Sequence, residues 1–136
     1  MKNDRGSMTV WAMGLSLLLF AVGFLALDLW SGFAARQQAA AIADSAAIAG
    51  ATAVDENAWR SGTLALDAEQ AQARAHDAAL THPAWEDSMT VSTNAGPEGV
   101  TVAISRTIPF RYISGLVPDQ VAAITVTAYA EPGVGQ

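Results

Sequence analysis

One long N-terminal helix carrying a small helix-and-sheet body, an α+β arrangement, is what three features of this 136-residue chain predict. Residues 6–27 contain no charged side chain, residues 34–53 hold eleven alanines and no proline, and the last third alternates apolar and polar residues with period two. A lipid-length run, a continuous helix and a few strands follow from these in order.

Met8 to Leu27 reads MTVWAMGLSLLLFAVGFLAL, with Thr9 and Ser16 as its only polar side chains. Both hydroxyls can bond to the helix's own carbonyls, so neither opposes burial in lipid. Twenty residues at about 1.5 Å each cover about 30 Å, the thickness of a bilayer core. Apolar side chains run all round the helix, as lipid on every side requires. A transmembrane helix over 8–27 is therefore expected, with 1–7 as a short cytoplasmic start. Lys2 and Arg5 lie on that short side and the next basic residue is Arg36. Positive charge so placed keeps the N-terminus in the cytoplasm and sends the rest of the chain outward. Trp11 and Trp30 bracket the run as interfacial anchors. Two other readings stay open: a cleaved signal peptide, with Ala39, Ala40 and Ala41 as a loose cleavage site, and a buried core helix. The run exceeds the roughly 7–15 apolar residues of a signal peptide, and Asp28 rather than an A-x-A pattern closes it.

Beyond Asp28 nothing breaks a helix, since the first proline is Pro83. Unbroken from Met8 to about Val54, the helix is about 70 Å long, and 28–54 reads as an Ala-rich stalk. Ala39, Ala43, Ala47 and Ala51 form one row at helical spacing, with Ala46 and Gly50 on the next. Such rows let another helix approach closely, although alanine also serves helix propensity alone.

The body, 55–136, opens with a break at Asp55, Glu56 and Asn57 with Gly62. Asp67 to Leu80 then reads as a helix, with Asp67 and Gln70 spaced for a capping box. Its apolar stripe is Leu64, Ala68, Ala71, Ala75 and Ala78, and His82 and Pro83 end it. Met89–Asn94 is a first strand, and Val100–Arg106 a second with Val100, Val102 and Ile104 on one face. Between them Ala95 to Gly99 is a five-residue hairpin loop. After a connection through Pro109, Gly115 and Pro118, Val121–Tyr129 alternates with Ile124, Val126 and Ala128 inward. Three strands with one apolar face need a helix laid across them.

Charge and composition narrow the function. Residues 1–27 carry a net +1 and the remainder −7, and so acidic a body is a poor phosphate binder, which excludes nucleic acid. With no cysteine there is no disulfide framework, thiolate nucleophile or cysteine-based zinc site. His76 and His82 are spaced wrongly for a shared metal, and Glu86 with Asp87 reads as a solvated turn. Trp59 and Trp85 read as local packing. No phosphate-cradling glycine pattern and no nucleophile elbow occurs, so neither an enzyme nor a cofactor is expected.

The stretch Leu27 to Ala51, LDLWSGFAARQQAAAIADSAAIAGA, resembles the N-terminal region of the TadE/TadG-like proteins of tight-adherence (Flp, type IVc) pilus systems. That family shows an apolar span, an aspartate at its outer end, a basic residue about eight positions on, and an Ala-rich block around a second aspartate. Here Asp28, Arg36 and Asp44 occupy those places, with Ala46, Ala47, Ile48, Ala49, Gly50 and Ala51 as the block that follows. The start Asp4 to Trp11, DRGSMTVW, is similar to the short actinobacterial members, and the order of helix, strands and a final T-x-T-A-Y-A-E-P strand resembles the pseudopilin-like ones.

The resemblance implies a processing junction at Gly6–Ser7, although cutting there puts Trp11 where processed prepilins carry glutamate, and Ala40 stands where many members have glutamine. It also implies packing between pilin-like helices, with Ala39, Ala43, Ala47 and Gly50 in close contact and Asp28, Arg36 and Asp44 setting register. Arg36 is about 12 Å along the axis from either aspartate, so such pairs would form between subunits. The expected protein is a single-pass membrane subunit, minor pilin-like or accessory, partnered by membrane lipid and by other pilin-like or secretion-assembly proteins, as a homo- or hetero-oligomer. The alternative is a membrane-anchored or secreted extracytoplasmic binding module unrelated to pili.

Overall fold

The computed structural model describes residues 5–109 and 121–133, with side chains from residue 8 onward. Lys2, the side chains of Arg5, Gly6 and Ser7, and the connection through Gly115 and Pro118 lie outside the described residues.

Six elements follow in order: α1 (Arg5–Ala51), α2 (Glu56–Arg60), α3 (Ala68–Leu80), β1 (Met89–Gly96), β2 (Gly99–Pro109) and β3 (Val121–Ala130). The fold is α+β. A three-stranded antiparallel sheet in the order β1-β2-β3 is covered on one face by a layer of two helices. Within that layer α1 lies against β2 and β3, and α3 lies against β1 and β2.

α1 is continuous for 47 residues because no proline or capping signal interrupts it. Serines inside it bond to its own carbonyls without interrupting it: Ser16 Oγ donates to the Ala12 carbonyl and Ser45 Oγ to that of Ile42. It ends at Ala51, where Ala53 N–H turns back to the Gly50 carbonyl. It is the one helix among the described residues long and apolar enough to cross a membrane, and none of its most apolar window is buried.

The sequence expectation of a stalk over 28–54 needs correction. From Ala35 onward α1 is the central element of the body's core: Ala39, Ile42, Ala43, Ala46, Ala47 and Ala51 are buried together with Ala71, Ala75 and Ala79 of α3 and Val100, Val102 and Ile104 of β2. Eight alanines in two facing helices let the axes come close, and the larger side chains Ile42, Val100, Val102 and Ile104 fill the space under the sheet.

Contact points also fix direction. Gly50 of α1 lies against Ala71, Ala75 and Val100, whereas Gln38, twelve residues earlier, reaches Arg106. Twelve helical residues rise about 18 Å, and six strand residues about 20 Å, so α1 and β2 run side by side. The body therefore has a distal end at Gly50 and the β1–β2 turn, and a proximal end at Gln38, Arg106, Pro109 and Val121.

Local details differ from the sequence reading in three places. The hairpin is tighter than a five-residue loop: pairing continues through Ala95↔Val100 to Gly96↔Gly99, leaving Pro97 and Glu98 as the turn. The break after Ala51 contains α2, one helical turn capped by Asp55, whose carboxylate accepts from the Asn57 and Ala58 amides. The Val54↔Leu66 bridge closes that excursion. On α3, Asp67 caps by accepting from the Glu69 and Gln70 amides, but Gln70 does not return the bond. Its side chain accepts from Arg74, while the Asp67 amide donates to the Ala53 carbonyl. The buried stripe of α3 is Ala71, Ala75 and Ala79, and Leu64 stays outside it, exposed.

Gly50 is where the helices come closest. A Cβ there would lie 2.9 Å from the Ala71 carbonyl oxygen, 3.0 Å from the Ala75 methyl and 3.1 Å from Val100 Cγ1. Two of these neighbours sit on or next to backbone and cannot swing away. Gly50→Ala is expected to destabilise the body by about 1–3 kcal/mol, while Gly23→Ala, with nothing within 4 Å, does not. Thermal unfolding followed by circular dichroism in detergent measures both.

Candidate functional site

α1 presents three surfaces, and each sequence-predicted residue from Asp28 to Gly50 falls on one of them. The first is an apolar belt. Every described side chain from Met8 to Leu27 is exposed, including Trp11, Leu18, Phe20 and Phe24, and the belt continues past Asp28 through Leu29, Trp30 and Phe33. Phe20 with Phe24, and Trp30 with Phe33, form ring contacts along it.

The second surface is buried. Ala39, Ala43, Ala47 and Gly50, expected to receive a helix of another subunit, are occupied by the chain's own α3 and sheet. The close helix contact at this row is made inside one chain, because α3 carries an alanine row of its own. Asp28 belongs to this side as well. It precedes Ala35 by seven residues, two turns down the same face, and is 4% exposed between exposed neighbours. It has a partner within the chain, and its main-chain carbonyl accepts from Ser31 Oγ at 2.8 Å.

The third surface faces outward from the body: Arg36, Gln37, Ala41, Asp44 and Ile48 are exposed at helical spacing. Arg36 and Asp44 form no ion pair among the described residues, as their separation of about 12 Å along one helix requires. Of the two aspartates expected to set register, Asp44 is accessible from outside and Asp28 is not.

At the proximal end a polar clasp joins α1 to the body. Gln38 Nε2 donates to the Ala84 carbonyl at 2.7 Å and to Glu86 Oε1 at 3.3 Å. Arg106 donates to Gln38 Oε1 at 3.2 Å and forms a salt bridge with Glu86. Below it lies a cleft of about 460 Å³ lined on the apolar side by Leu27, Trp30, Ala34 and Ile108. The clasp was missed in the sequence, where Glu86 reads as a solvated turn. A signal was present: Arg106 continues the inward phase of Val100, Val102 and Ile104, and a cation in that phase needs an acceptor.

Among the described residues the remaining titratable side chains do not converge. His76 is exposed on α3, whereas His82 Nδ1 accepts from the Ala84 amide in the turn after it. Among the described residues no three of His, Asp and Glu are grouped to hold a metal ion. Trp85 packs against the core, but Trp59 is exposed on α2 rather than packed locally.

Comparison with protein-family models, curated proteins and solved structures finds no match to this chain.

Arg106 serves two acceptors and Glu86 is half-exposed, so their coupling is that of a partly solvated pair. A double-mutant cycle with Glu86→Gln and Arg106→Gln is expected to give a coupling of about 0.5–1 kcal/mol that shrinks as salt is raised. Arg106→Gln alone should cost more than Glu86→Gln, because it also strips Gln38 of a donor. Denaturant unfolding at low and high ionic strength reads both effects.

Proposed function

We propose that this protein is a single-pass membrane subunit, minor pilin-like or accessory, of a tight-adherence (Flp, type IVc) pilus or a related secretion apparatus. Its N-terminus lies in the cytoplasm, its body outside, and it acts by packing against partners without turnover. The observation that carries this reading is the dual use of α1: one uninterrupted helix whose first half is an uncovered apolar belt and whose second half is the core of the body. Movement or force on the anchor is then transmitted to the body without a hinge. The placement of Asp28, Arg36 and Asp44 along Leu27 to Ala51, which resembles the TadE/TadG-like pattern, supports the assignment to pilus assembly.

Because the alanine rows are filled from within, partners meet the chain elsewhere. Within the bilayer the apolar belt is available. Outside it the exposed stripe of Arg36, Gln37, Asp44 and Ile48 carries one cation, one anion and one large apolar side chain, and two such stripes offset by about two turns bring Arg36 of one copy against Asp44 of the next. The reading of a secreted domain fits less well, since a cut between Gln37 and Ile42 would fall among core residues Ala39 and Ile42.

Two measurements test the proposal. Mass and N-terminal sequence of the protein recovered from membranes are expected to show α1 intact through Ile42; a start near Ser7 indicates prepilin-type processing and incorporation into a fibre, and a start within Gln37 to Ile42 overturns the anchored reading. Arg36→Asp and Asp44→Arg should each reduce the high-mass complex seen on native gels of detergent-solubilised membranes, and the double exchange should restore it. Failure of the double exchange to restore it rules out this pairing.

A further inference from the structure

The outer limit of the lipid-facing surface does not coincide with the first charged residue after the apolar run. Asp28 closes that run in the sequence, yet it is 4% exposed, on the same helix face as buried Ala35. On the outward side of α1 the apolar character continues, with Leu29 64%, Trp30 71% and Phe33 56% exposed, and turns polar only at Arg36 and Gln37. From Met8 to Phe33 the outward belt is 26 residues, about 39 Å at helical rise, against about 30 Å for a bilayer core. Trp11 and Trp30 are 19 residues apart, about 28 Å, so placing both rings at the two interfaces leaves Asp28 below the outer one.

The body reaches the same level. Leu27, Trp30 and Ala34 share a cleft with Thr107, Ile108 and Pro109, and Pro109 pairs with Val121, itself exposed. Asp28, 4% exposed, is enclosed at a depth where an uncovered carboxylate would face hydrocarbon.

We infer that the proximal end of the body is itself a lipid-binding surface: Leu29, Trp30 and Phe33 of α1, with Pro109 and Val121 of the sheet, sit within the outer leaflet's interfacial zone and hold the body against the membrane. The occupant is phospholipid, because the surface is continuous with the apolar span and its members Leu29, Trp30, Phe33, Pro109 and Val121 are all apolar. A polar clasp stands directly above it, where headgroups and water begin. Asp28 lies inside the membrane on the protected side, and the boundary falls between Phe33 and Arg36. This inference rests on the anchored reading of α1 and goes beyond it in assigning the sheet's end to the bilayer.

The test uses the full chain in phosphatidylcholine vesicles, with single-tryptophan variants. One set keeps Trp30 alone (Trp11→Phe, Trp59→Phe, Trp85→Phe) and another keeps Trp11 alone. Phe33→Trp, Val121→Trp and Ile48→Trp are introduced into a chain whose four native tryptophans are phenylalanine. Emission from Trp30, Phe33→Trp and Val121→Trp should be lost to lipids brominated near the top of the acyl chain and shielded from aqueous iodide, while Ile48→Trp shows the reverse. If Phe33→Trp and Val121→Trp are quenched by iodide as fully as Ile48→Trp while Trp11 is quenched by brominated lipid, the inference is overturned and the anchor stands. If Trp11 too is open to iodide and untouched by brominated lipid, the anchored reading falls with it.

Discussion

The distance at which α1 and α3 meet depends on side chains no larger than a methyl group. Ala39, Ala43, Ala46, Ala47 and Gly50 on one helix, and Ala71, Ala75 and Ala79 on the other, bring the two backbones to near contact. With so little volume between the helices, both lie as one thin layer on the sheet, and Ile42, Val100, Val102 and Ile104 suffice to fill the remainder. A core of this kind has little slack. A few added carbons at Gly50 push on a carbonyl and a strand at once, which is why a small domain with few large apolar side chains can still hold a single arrangement.

The same constraint lets one helix work in two surroundings. Below Phe33 the belt is apolar outward, and above Ala35 the packed side is turned to α3 and the sheet. The faces overlap over about two turns, from Asp28 to Ala35, where the inward side is already screened while the outward side is still apolar. A break in the helix here would expose backbone amides at the level of the cleft, and none occurs. The Gln38–Glu86–Arg106 clasp sits just above this overlap and ties α1 to the turn before β1 and to the inward end of β2. Its geometry limits how far the helix can pivot against the sheet, because a pivot separates donors from acceptors on three segments together.

What remains for partners is set by subtraction. The alanine rows are spent within the chain, so on the body's part of α1 the side chains left open include Arg36, Gln37, Asp44 and Ile48. The outward face of the sheet mixes Thr90, Ser92, Thr125 and Thr127 with the apolar Ala103, Ala123 and Val121, and carries no charge among the described residues. Tyr129 crosses it, lying over Gly99 and donating to the Glu98 carbonyl.

Local pattern alone determined much of this protein. The absence of charge from Gly6 to Leu27, the missing prolines and the alternation at Val100–Ile104 and Ile124–Ala128 each depend on a residue and its near neighbours, and each led to the observed helix or strand. The aspartate cap at Asp67 was legible for the same reason. Tertiary structure alone decided what covers what. An alanine row states that a helix comes close but not whose helix it is, since the methyl surface is the same for α3 and for a second subunit. Asp28 and Asp44 look alike in sequence, yet one is enclosed and the other open, because their positions around α1 differ by most of a half-turn and only the body defines which side is inside. The clasp joins residues 38, 86 and 106, too far apart in the chain for any local pattern to link them.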